Sequence, residues 1–78
     1  MSRAELCSFR ARIVEGVAVG RDAGRPQNAM AAELKRELKK ISGSSPGMDG
    51  YVKIVYDHPE VPPAKFKLAT EVGCLQGG

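Results

Sequence analysis

The chain has 78 residues, with twelve Lys or Arg against nine Asp or Glu and a net charge of +3. That length allows one domain with a thin core, because a chain this short buries only about 60% of the surface its unfolded state exposes. Hydrophobic residues at 42% and charged residues at 27% exclude a disordered chain, and no apolar run approaches the ~20 residues of a membrane span.

The N-terminal third admits two conformations. Phe9, Ala11 and Ile13 alternate with Arg10 and Arg12, which fits a half-buried strand. A turn near Glu15-Gly16 and a second strand over Val17 to Arg21 would complete a hairpin. The rival is a helix starting at Ser2. There Ser2 and Glu5 match a capping box, and Leu6, Phe9, Ile13 and Val17 recur at spacings of three, four and four. The β-branched Val14, Val17 and Val19 favour the hairpin, and a lone strand pair later in the chain would be marginal without it.

A helix is expected from about Asn28 to Ile41. Asn28 can cap it, or Pro26 can sit in its first turn. Nearly every residue from Ala29 to Leu38 is a strong helix former, and Met30, Leu34, Leu38 and Ile41 form one apolar stripe. Lys39 and Lys40 suit the negative end of the helix dipole, and Gly43 is a natural stop. The Gly- and Ser-rich stretch 42–50 follows as a flexible loop.

Tyr51 to Tyr56 reads as a strand, β-branched or aromatic except at Lys53. Asp57 to Pro63 carries three prolines and cannot continue a ladder. Its Pro59-x-x-Pro62 matches a polyproline recognition core, although a rigid linker between strands is the expected use. Lys65 to Val72 alternates, with Phe66, Leu68 and Val72 inward, as in a strand with one buried face. Residues 73–78 show no period and read as a flexible tail. The expected fold is thus α+β: one helix packed on a three- or four-stranded sheet in the order ββαββ, with residues 1–78 as a single domain. Its core draws on Phe9, Ile13, Val17, the helix stripe, Val52, Ile54, Tyr56, Phe66, Leu68 and Val72.

Cys7 and Cys74 lie near opposite ends and could pair only if the ends meet. With no other cysteine and no leader-like segment, two free thiols in a reducing compartment are expected. His58 has only Asp57 and Glu60 nearby, and adjacency in an extended loop does not build a general base. A zinc site from Cys7, Cys74 and His58 lacks the close paired spacing that such sites use. Gly16, Gly20 and Gly24 match no phosphate-binding fingerprint and read as turns.

The residues with a binding character are basic. Lys35, Arg36, Lys39 and Lys40 lie on the helix, interleaved with Glu33 and Glu37, whose i,i+3 pairings with Arg36 and Lys40 would neutralise part of the charge. Lys65 and Lys67 add to that patch only if their segment lies beside the helix. Single-strand binding would also want exposed aromatics, and Tyr51 is the one candidate.

The tail Leu75-Gln76-Gly77-Gly78, following a strand–strand–helix–strand–strand order, resembles ubiquitin-like modifiers and sulfur carriers of the β-grasp family. That resemblance implies a carrier whose Gly77 and Gly78 feed a terminal carboxylate to an activating enzyme. Ala32-Glu33-Leu34 leading to Gly50-Tyr51-Val52 is similar to the DinI-like family of SOS regulators, whose acidic C-terminal helix has no counterpart here. The residues themselves point to a small cytoplasmic accessory protein, not an enzyme, without cofactor or metal. It would bind a protein partner, or alternatively nucleic acid through the basic helix face. Self-association would enlarge its small core.

Overall fold

The structure, a computed structural model, describes residues 2–42 and 48–77. Among them are four helices and no strand: α1 over Arg3–Asp22, α2 over Gln27–Ser42, α3 over Met48–Asp57 and α4 over Pro63–Gln76. The expected α+β fold is therefore corrected to an all-α one, and the order ββαββ is absent.

α1 takes the helical alternative and excludes the hairpin. Its capping box is formed: the Glu5 N–H donates to Ser2 Oγ at 3.2 Å, and the Ser2 N–H donates to Glu5 Oε1 at 3.2 Å. The buried stripe is Cys7, Ala11, Val14 and Ala18, at spacings of four, three and four. The apparent alternation at Phe9, Ala11 and Ile13 lost to this stripe, whose three small side chains let a neighbouring helix lie close. Gly16 and Gly20 consequently sit inside a helix, not in turns. The chain leaves α1 through Gly24, whose φ of +89° favours glycine.

α2 stands where the sequence placed it. The Pro26 carbonyl accepts from the Met30 N–H at 3.1 Å, so Pro26 lies just before the helix and Asn28 within it. Met30 and Leu38 are buried and Leu34 is half-buried, while the Ile41 side chain lies outside those described. Of the expected loop at 42–50, Ser42 and residues 48–50 are helical, and 43–47 lie outside the described residues.

The segment expected as a strand over Tyr51 to Tyr56 lies in α3. A short apolar run fits either period, and here tertiary burial decides. Val52 and Val55, three apart, are fully buried, with Tyr51 and Tyr56 beside them. Lys53 and Asp57, on the outer side, pair at 2.7 Å across one turn. Residues 58–62 then link two helices, not two strands. Pro63 opens α4 at the position where its missing N–H costs nothing. α4 continues through Gly73–Gln76, so the segment read as a tail is largely helical.

α1 is the central element: α4 packs antiparallel along it, and α3 bridges α1 and α2. The core joins Val14, Val17, Ala18, Met30, Val52 and Val55, with Leu34, Tyr51, Tyr56 and Phe66 packed against it. Ile54, Leu68 and Val72 were expected inside and are exposed, because the helical period turns them outward. Cys7 and Cys74 form a disulfide with a Cα separation of 5.5 Å. This corrects the expectation of two free thiols: antiparallel α1 and α4 bring the two ends together. The shortest dimension of the molecule is 15 Å, so every helix keeps a face on water.

Candidate functional site

The α1–α2 turn brings two helices together closely at one end only. There Gly20 faces Met30, and a Cβ at Gly20 would collide with the Met30 terminal methyl. Away from the turn the helices diverge, leaving an open groove of about 390 Å³. Ile13 and Val17 of α1 and Met30 and Leu34 of α2 supply its apolar lining. Along the α1 rim run Arg12, Gly16 and Val19. Val19 is 54% exposed, and a Cβ at Gly16 would meet nothing within 4 Å. Along the α2 rim run Glu33 and Glu37.

The groove therefore has an apolar floor, a basic α1 rim and an acidic α2 rim. Arg25 closes its turn end and pairs with Glu33. The hydrogen bond from Arg25 holds the Glu33 carboxyl below the usual carboxylate range, and the same bond raises the Arg25 guanidinium. The Arg25 carbonyl accepts from the Tyr56 hydroxyl at 2.7 Å, fixing the turn on α3. Burial pushes the Tyr56 phenol up, against the opposing pull of Arg25 and Arg21. An apolar channel flanked by charges of opposite sign can bury the apolar face of an amphipathic helix.

Lys35, Arg36, Lys39 and Lys40 are all exposed on α2. Of their expected pairings, Lys40 meets Glu37 at 3.7 Å, whereas Glu33 turns to Arg25 instead of Arg36. Lys65 is exposed and Lys67 half-buried on α4, which packs on α1 and shares no extended interface with α2. The two basic sets are thus not brought together. His58 is exposed and lies 3.5 Å from Glu60, an ion pair only when the imidazole is protonated. Cys7 and Cys74 are joined to each other, so neither offers a thiolate to zinc. Among the described residues no cluster of His, Cys, Asp and Glu is placed to hold a metal.

Gly77 closes α4 by donating its N–H to the Gly73 carbonyl, and Gly78 lies outside the described residues. The β-grasp resemblance loses its fold support, since none of the described residues before this tail forms a strand. The DinI-like resemblance crosses Gly50-Tyr51-Val52, which is helical here. None of the basic residues expected to bind lines the groove. Its one local signal is Gly16 and Gly20 at a spacing of four beside Ile13 and Val17. Among the described residues no helix is long and apolar enough to cross a membrane. No protein-family model, curated protein or solved structure matches the chain.

Proposed function

We propose that this chain is a small non-enzymatic binding protein that takes an amphipathic helix of a protein partner into the α1–α2 groove. The observation that carries the reading is the half-exposed Val19 on an open apolar channel with oppositely charged rims. Helix-in-groove recognition needs those two features, an apolar floor for the anchors and charged edges that fix orientation. A protein partner is favoured over nucleic acid because acidic residues line the same site and because the basic residues of α2 and α4 form no joint surface. With Cys7 and Cys74 paired, no free thiol points to a reducing, cytoplasmic setting. An oxidising compartment is where a Cys7–Cys74 bridge persists.

Ile54 supplies a matched control, being 52% exposed on α3 and away from the groove. Lysine at position 19 should abolish retention of the partner in the native cells, whereas lysine at position 54 should leave it unchanged. Equal retention by the Val19→Lys and Ile54→Lys proteins would contradict the assignment.

A further inference from the structure

We propose that the helix received by this groove is α4 of a second copy of the same chain. The proposal rests on the reading of the groove as a helix-binding site and names its occupant.

Among the described residues, α4 differs from the other three helices in having no buried residue. One side packs on α1 and is stapled there by the disulfide. The opposite side carries Leu68, Val72 and Leu75, which are 63%, 41% and 48% exposed. Their spacings of four and three set them on one stripe. This stripe needs no rearrangement to be presented, because α4 already holds it away from its own α1.

Charge selects the groove as its complement. At about 100° per residue, Lys65 lies roughly 60° to one side of Leu68 and Glu71 roughly 60° to the other. The stripe thus has one basic and one acidic flank, and the groove has one basic and one acidic rim. A single orientation satisfies both, with Lys65 toward Glu33 and Glu37 and Glu71 toward Arg12. Among the described residues, Lys65, Glu71 and Arg12 have no ion-pair partner within the chain. Length agrees as well: Leu68 to Leu75 and Arg12 to Val19 each span seven residue steps, about 10 Å of helix. A lipid surface is the weaker occupant, since Glu71 beside the stripe would face an anionic membrane.

Donor stripe and receptor groove are different surfaces, so the contact is heterologous. Each copy offers one of each, and assembly continues until a ring closes or a filament grows. That geometry dictates the test. Sedimentation velocity of the intact, oxidised chain between about 10 µM and 1 mM should show the mean mass rising with concentration. Leu68→Lys removes the donor and Val19→Lys the receptor, both at exposed positions. Each variant alone should sediment as a monomer with a wild-type melting curve. Their equimolar mixture should form a species of twice the chain mass that grows no further, because one donor and one receptor remain. Arg12→Glu should weaken assembly several-fold, and adding Glu71→Arg to the same chain should restore it. A wild-type chain that stays monomeric throughout would overturn the proposal, while leaving the Val19 and Ile54 contrast with another partner intact. Persistent assembly of the Val19→Lys protein, or an equimolar mixture that remains monomeric, would overturn it too. So would a monomeric chain that binds vesicles of phosphatidylglycerol and loses them on Leu68→Lys.

Discussion

Arg21 Nη2 donates to the Val61 carbonyl at 2.8 Å, across the turn between α3 and α4. Through Nη1 the same guanidinium donates to the carbonyls of Val55 at 2.9 Å and His58 at 3.0 Å. The Val55 carbonyl needs such a donor, because the residue four places on is Pro59 and has no N–H. The Arg21 side chain is only 6% exposed, pairs with Asp22 and lies 5.8 Å from the Phe66 ring centre. One side chain of α1 thereby holds the end of α3 and the start of α4.

Arg21→Ala should cost about 2–4 kcal/mol, because it orphans the partly buried carbonyls of Val55 and Val61 at once and leaves that of His58 with only the Val61 N–H. Arg21→Lys should cost more than about 1 kcal/mol, since an ammonium lacks the planar fork that reaches all three. Urea unfolding measures both. A lysine variant as stable as the wild type would show that the clasp adds nothing.

Reduction of the Cys7–Cys74 bridge should be the largest single loss. The cysteines are 67 residues apart, and loop-closure entropy for such a separation is worth about 4 kcal/mol. The melting midpoint should fall by about 10–30 °C in reductant or in a Cys7→Ser, Cys74→Ser double variant. Amide exchange should rise first at Gly73–Gln76, because the Arg21 clasp still anchors the other end of α4. Uniform exchange along α4 would contradict this order.

Three glycines should respond differently to alanine. Gly16→Ala should stabilise by about 0.5–1 kcal/mol, being an exposed helix interior where a Cβ meets nothing. Gly20→Ala should gain less or lose, because the Met30 methyl must move aside. Gly24→Ala should destabilise by about 1 kcal/mol, given its φ of +89°. Chemical denaturation ranks the three, and Gly20→Ala exceeding Gly16→Ala would mean that α1 and α2 are not in close contact there.

Acid should weaken the fold through two named carboxylates. The Glu5 carboxyl is lowered by its capping hydrogen bonds with Ser2, and the Glu33 carboxyl by the hydrogen bond from Arg25. A carboxylate lowered in the folded state contributes stability above its unfolded value and loses it as pH falls through the folded one. The melting midpoint should therefore hold steady above about pH 5.5 and decline below about pH 4.5. A Glu5→Gln, Glu33→Gln variant should show a shallower decline. An unchanged slope would place the acid sensitivity elsewhere.

The legibility of the fold varied with how local its determinants are. α2 could be read directly, because Met30, Leu34 and Leu38 keep helical spacing among strong helix formers. At α1 the Ser2–Glu5 capping box was a correct local signal, outweighed by Val14, Val17 and Val19. Those valines are tolerated because the stripe from Cys7 to Ala18 buries well against α4. At α3, Val52 and Val55 fit either period, and only the presence of α1 and α2 on one side decides between them. At α4 the alternation of Phe66, Leu68 and Val72 came from a helix with apolar residues on more than one face. The disulfide was hidden for a related reason, since Cys7 meets Cys74 only once α4 runs antiparallel to α1. The basic residues could be named from sequence, but the groove depends on how far two helices diverge, which no local pattern encodes.

Site-specific photo-crosslinking tests the groove most directly. A benzophenone side chain replaces Val19 in one protein and Ile54 in another, two positions of nearly equal exposure. Irradiation in the native cells should give an adduct of defined mass from position 19 and none from position 54. An adduct from position 54 alone, or equal labelling at both, would contradict the assignment of the α1–α2 groove as the binding surface.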